Sequence, residues 1–76
     1  MKSLVEFLVK SLVARPDAVS VVEKSAVAGQ VFEVSVAPED LGRVIGKQGR
    51  TIKAIRSVVT AAASKVRTKA SVLVAE

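Results

Sequence analysis

Two stretches with helical periodicity are separated by the tetrapeptide GKQG, set within Val44–Arg56, VIGKQGRTIKAIR. Glycine inside a helix costs about 1 kcal/mol relative to alanine. The pair Gly46 and Gly49 therefore argues against one continuous helix and for helix, corner, helix. Gly46 is suited to end the first helix in a left-handed conformation. Gly49, lacking a β-carbon, lets another molecule's backbone come close. Just beyond it lie the free N–H groups and positive dipole end of the longer helix, which favour phosphate. Lys47 projects from the turn, and Arg50 and Lys53 follow on the next helical turn. A plain tight interhelical turn would use the same residues, because GxxG alone is a weak signal. A Walker-type nucleotide loop does not fit: three residues rather than four lie between Gly42 and Gly46, and Gln48 stands where Ser or Thr would be required. A helix, not a strand, also precedes the loop.

The flanking segments set the element order. Ser3-Leu4-Val5-Glu6 has the S-x-x-E form of a capping box, and predicts a helix from there to about Ala14, stopped by Arg15-Pro16-Asp17. Two strands are expected next, in AVSVVEKSAV and in VFEVSV, whose alternation puts Phe32, Val34 and Val36 on one face. AVAGQ, with Gly29, supplies the hairpin turn. Pro38 opens a short helix whose positive end is favoured by Glu39 and Asp40.

The longer helix is expected over Arg50 to Lys65. Ile52, Ile55, Val59, Ala62, Ala63 and Val66 share one arc, while Arg50, Lys53, Arg56, Thr60, Ser64 and Arg67 share the neighbouring one. A last strand, ASVLV, closes an α-β-β-α-α-β order. This predicts an α+β domain over residues 1–76, two layers deep, with three helices on one face of a three-stranded sheet.

Charge is divided unevenly along the chain. Residues 1–40 carry four basic and six acidic side chains, a net of −2. Residues 41–75 carry Arg43, Lys47, Arg50, Lys53, Arg56, Lys65, Arg67 and Lys69, and no acid. One-sided basicity is the footprint of a polyanion-binding surface; a merely solubilising face usually mixes both signs. With no cysteine and no histidine, thiolate metal sites and the commonest general base are excluded. Glu39 and Asp40 are better read as helix-end charges than as acid–base groups, and no nucleophile–base pair is available, so no enzyme, cofactor, metal or small-molecule substrate is expected. No run of about 18 apolar residues exists to cross a membrane, and the charges of Glu6 and Lys10 break the apolar N-terminus before it can read as a secretory signal. A cytoplasmic protein is the expectation.

At this point VIGKQGRTIKAIR resembles the signature of the KH family of RNA-binding domains, in which I-G-x-x-G is followed closely by an isoleucine and a basic residue. Ile45, Gly46, Gly49, Ile52 and Lys53 match it. The element order resembles the type II, bacterial form of that fold. With LVEFLVKSLV at its start and APED-x-GRVIGK-x-GRTIKAIR in its middle, the chain is similar throughout to the small single-domain KH proteins of the KhpA type.

The resemblance implies a clamp for about four nucleotides of single-stranded RNA, made by Gly46, Lys47, Gln48 and Gly49 and bordered by Arg43, Arg50, Lys53 and Arg56. Val44, Ile45 and Ile52 would form the apolar groove floor or the core beneath it. The family's variable loop falls on SKVRTK, so Lys65, Arg67 and Lys69 would border the other side of the groove, unless they form only a solvated basic loop. A homodimer, or a heterodimer with a larger KH-containing protein, and a role in RNA-level regulation are implied as well. Phe7 and Phe32 are the only aromatic residues and both fit core faces, so no base-stacking platform is expected.

Two other functions use the same features. Helix, glycine-bearing turn, helix also describes a DNA-binding helix-turn-helix. The wide apolar face of the first helix and the stripe Ala54, Val58, Ala61 suit a protein-interaction subunit with minor RNA contact.

Overall fold

Lys2–Lys10 forms the first helix, α1, in the computed structural model, which describes residues 1–27 and 29–75. Its apolar side buries Val5 and Val9. The expected capping box is not formed: Met1 occupies the N-cap position, and the amides of Leu4 and Val5 donate to its carbonyl. Glu6 is engaged along the helix instead, 3.9 Å from Lys2 and 3.8 Å from Lys10, at the spacing that favours such pairs.

The helix also ends at Lys10 rather than at Ala14. The Ser11 hydroxyl donates back to the Phe7 carbonyl at 2.7 Å, and the amides of Ala14 and Arg15 are taken by the carboxylate of Asp40. Amides committed elsewhere cannot extend the helical ladder. A 3₁₀ turn over Pro16–Ala18, not anticipated from the sequence, leads into the sheet.

The sheet contains β1 (Ser20–Ala26), β2 (Gly29–Ser35) and β3 (Ala70–Val74), in that spatial order. β1 and β2 pair antiparallel, with Val21 opposite Val34, as the expected hairpin requires. Ala28, within the expected turn, lies outside the described residues. β3 joins the other side of β2 in parallel, with Phe32 opposite Val72. A parallel neighbour needs a crossover connection, and two helices supply it: α2 (Leu41–Ile45) and α3 (Arg50–Lys65). Pro38–Asp40 forms a 3₁₀ turn ahead of α2, so the helix expected to open at Pro38 begins as a tighter coil.

The buried cluster joins Phe32, Val34 and Val72 of the sheet to Val5 and Val9 of α1, Val44 of α2, and Ile52, Ile55 and Val59 of α3. This is the expected two-layer α+β arrangement. Two side chains depart from their expected places. Val66 is 68% exposed, because α3 ends at Lys65 and the left-handed Arg67 (φ 56°) turns the chain away from the helical arc. Phe7 is 67% exposed rather than in the core. No helix among the described residues is long and apolar enough to cross a membrane.

Candidate nucleic-acid interface

The corner between α2 and α3 depends on three unusual backbone conformations within four residues, at Gly46, Gln48 and Gly49. Gly46 has φ 78° and ψ 171°, an extended positive-φ region essentially confined to glycine. It is not the left-handed helical conformation expected from the sequence. Its surroundings require glycine as well: a β-carbon there would collide with the Thr51 hydroxyl and stand 2.7 Å from the Thr51 amide nitrogen. Gln48 (φ 56°, ψ 28°) and Gly49 (φ 73°, ψ 16°) then take the left-handed conformation in turn. The Gly49 amide closes the corner by donating to the Gly46 carbonyl at 3.1 Å. A β-carbon at Gly49 would meet only Ile52 Cγ2, at 4.0 Å. Its surface is therefore open to solvent, as close approach by another backbone requires.

Lys47 and Gln48 are exposed at the tip of this corner. Behind it, Val44 and Ile52 are buried in the core and Ile45 packs against it, so these three support the corner from beneath. Gly49 is the N-cap of α3 and makes no side-chain cap; the Arg50 amide donates to the Lys47 carbonyl, and no side chain caps the amides that follow.

From the corner, the exposed residues Arg50, Lys53, Arg56, Thr60 and Ser64 run along one flank of α3. From Arg50 to Ser64 this flank is about 21 Å long at 1.5 Å per residue. Opposite its C-terminal half lies the open edge of β3. Such an edge presents backbone groups without a strand partner, and one is occupied: Arg56 Nε donates to the Val72 carbonyl at 3.2 Å.

Two clefts follow this seam. One, of about 270 Å³, is lined by Arg56, Thr60 and Ala70 to Leu73. The other, of about 790 Å³, is lined by Thr60, Ser64 and Arg67 to Ser71. Arg67 and Lys69 thus border the groove, while Lys65 does not line it. Thr68 and Ser71 line it too; their spacing in the sequence gave no sign of this, because only the pairing of β3 with β2 brings them beside α3. The GKQG corner lies beyond these clefts, at the N-terminal end of the same flank.

The electrostatics are one-sided. Among the described residues, ion pairs engage Lys2, Lys10, Arg15, Lys24 and Arg43. Lys47, Arg50, Lys53, Arg56, Lys65, Arg67 and Lys69 are in none. Arg43 is the exception among the expected contacts, with its Nε 3.5 Å from Asp40.

The other flank of α3 is apolar. There Thr51, Ala54, Ile55 and Val58 meet Phe7, Leu8, Ser11 and Leu12 of α1 around a shallow cavity of about 270 Å³. Phe7 is thereby placed on the side of α3 away from the basic groove.

A three-stranded sheet covered on one face by helices in this order, with helix–GxxG–helix at the corner, defines a KH domain. The KhpA/KhpB KH-domain model matches residues 2–74, and the chain belongs to that family. It is similar to the RNA-binding protein KhpA of Leifsonia xyli, with 54% identity over 87% of each chain. It is also similar to the RNA-binding protein KhpA of Clostridium acetobutylicum (55% identity over 86% of this chain and 87% of the relative) and to that of Chlamydia caviae (40% identity over 100% and 97%). No solved structure gives a significant match. Membership of this family makes the chain a binding module and not an enzyme.

Proposed function

We propose that this protein, as a single KH domain over residues 1–76, binds single-stranded RNA in the cytoplasm as a post-transcriptional regulator or RNA chaperone. The observation that carries the reading is the row of cations from Lys47 to Lys69, which follows the GKQG corner and the α3–β3 groove and enters no ion pair among the described residues. The relatives' names, all RNA-binding proteins, agree with it.

Gly46, Lys47, Gln48 and Gly49 clamp the sugar–phosphate chain. The open surface of Gly49 admits it, the positive end of α3 and the Lys47 ammonium attract phosphate, and Arg50 and Lys53 continue the contact. Arg43 and Arg56 flank the strand, and Arg67 and Lys69 border its far side, with Lys65 in the solvated part of that loop. No aromatic side chain lines the groove, so recognition rests on charge, groove hydrogen bonds and van der Waals contact. Weak sequence preference follows.

The test compares a short single-stranded RNA with duplex DNA of equal length. Preference for the RNA is expected. Preference for the duplex would favour a helix-turn-helix mode instead.

A second reading, self-association or pairing with a larger KH-containing protein, is favoured by the exposed Phe7 beside Leu12 and Val58. A 76-residue chain has a thin core, and covering this cavity would extend it. The surface lies across α3 from the groove, so both readings hold together. Sedimentation with and without RNA separates an obligate assembly from one built on RNA.

A further inference from the structure

Asp40 is the one fully buried charged side chain among the described residues, at 0% exposure, and the clamp described above makes no use of it. From the sequence it serves the positive end of the following helix. In the structure its carboxylate does not cap α2: Oδ1 accepts the Ala14 amide and Oδ2 the Arg15 amide, each at 3.0 Å. Arg43 Nε stands 3.5 Å from Oδ1, and the Asp40 amide itself donates to the Ala37 carbonyl at 2.8 Å. Among the described residues no buried side-chain polar atom is left without a partner. One carboxylate therefore joins the segment after α1 to the first residue of the α2–GKQG unit.

Apart from this carboxylate, the unit is held by the apolar packing of Val44 and Ile45 and by few polar contacts. α2 has five residues, far too few for a helix to persist alone. It is held in the middle by Val44 in the core, and at its end the Gly46 amide donates to the Gly42 carbonyl at 2.8 Å. The Arg15–Glu39 pair nearby is exposed and 3.3 Å apart, and exposed pairs contribute little. Among side-chain polar contacts, the start of α2 is thus fixed chiefly by Asp40, beside the apolar packing of Val36 and Ala37. The same carboxylate holds the Nε side of Arg43, leaving the rest of a guanidinium whose side chain is 62% exposed facing solvent.

We infer that Asp40 is a positioning residue for RNA binding: its buried carboxylate sets the position of α2, and through α2 that of the GKQG loop and of Arg43. Both oxygens are required as acceptors. Asparagine would turn an NH₂ toward one of the two amides and leave a donor facing a donor. The inference rests on the RNA reading above, and its effect on the loop can be measured without RNA.

The experiment follows amide exchange and RNA affinity in Asp40→Asn, beside a core truncation on the other edge of the fold, Val21→Ala, at a temperature where both are fully folded. In Asp40→Asn the Gly46 and Gly49 amides are expected to lose protection while those of Val59 in α3 and Val34 in β2 keep it. Affinity for a short single-stranded RNA should fall about tenfold, a coupling of the size common within one contact network, while Val21→Ala stays within about twofold. Equal loss of protection throughout Asp40→Asn, or a loss of affinity shared by Val21→Ala, would overturn the inference in favour of a general stabilising role. So would wild-type protection and affinity in Asp40→Asn. If Asp40→Asn does not fold, Asp40→Ser, which keeps one oxygen acceptor, takes its place; failure of both to fold also overturns it. If wild type binds no RNA, the RNA reading fails, and selective loss of loop protection still supports the positioning of the loop by Asp40.

Discussion

The position that a β-carbon would take on Gly46 lies 2.6 Å from the β-carbon of Thr51. The first residue of the corner is therefore filled by the second residue of α3, and the chain can turn this tightly only because Gly46 has no side chain. Gly46→Ala combines this overlap with a conformation whose strain alone is about 1–3 kcal/mol. Gly49→Ala faces open space and costs about 1–2 kcal/mol for its left-handed backbone. Thermal denaturation should rank Gly46→Ala as the less stable variant. Removing the hydroxyl and methyl with Thr51→Ala should not rescue Gly46→Ala, because the Thr51 β-carbon and amide nitrogen remain in the way. Equal stability of the two glycine variants would contradict this account of the corner.

The exposed Phe7 beside Leu8, Leu12, Ala54 and Val58 yields a prediction about assembly. Phe7→Glu places a charge where a partner surface would bury it. Sedimentation of the variant across the micromolar range should show a smaller species than wild type, with RNA affinity per chain held within about twofold, since sites this far apart usually act independently. A wild-type monomer at every concentration, with no partner recovered from cells, would contradict it.

Along the groove, Lys53 and Arg56 are expected to behave differently. Lys53 is exposed and free of ion pairs, so Lys53→Gln should weaken binding to all short RNAs alike and lower the salt slope by about 0.7. Arg56 is tied to the Val72 carbonyl and forms part of the cleft wall. Arg56→Gln should weaken binding unequally across sequences. Affinities for a panel of homopolymeric and mixed RNAs check both, and uniform loss in Arg56→Gln would remove it from the groove's base-facing wall.

How far the sequence was legible differs by element for physical reasons. α3 and β3 have the bounds expected from Arg50–Lys65 and ASVLV, α3 because its long apolar period is satisfied by its own packing and β3 because its valine-rich run pairs along β2. The end of α1 was not legible, since it is decided by Asp40, which is distant in sequence and takes the Ala14 and Arg15 amides. Val66 obeys the helical period of α3 but follows the helix's last residue, so the period no longer applies to it. Phe7 reads as core because it is aromatic and lies within an apolar helix, yet the core-facing arc is already filled by Val5 and Val9. At the corner, the glycines marked the site. The lack of room for any side chain at Gly46 was not legible, because it depends on where Thr51 falls after the turn.

The central claim is that the GKQG corner clamps an RNA backbone, and a salt titration of single-stranded RNA binding tests it most directly. The comparison is between wild type and the double variant Lys47→Asp, Gln48→Asp. Both positions are exposed, where substitutions usually shift stability by about 0.5 kcal/mol or less, and aspartate tolerates the left-handed backbone at Gln48 better than most residues. The double variant should therefore keep its cooperative thermal transition. With about three or four phosphates neutralised, wild-type log affinity should fall against log salt with a slope of about −2 to −3, while the folded variant loses binding. A slope near zero for wild type, or unchanged binding by the folded variant, would contradict the clamp.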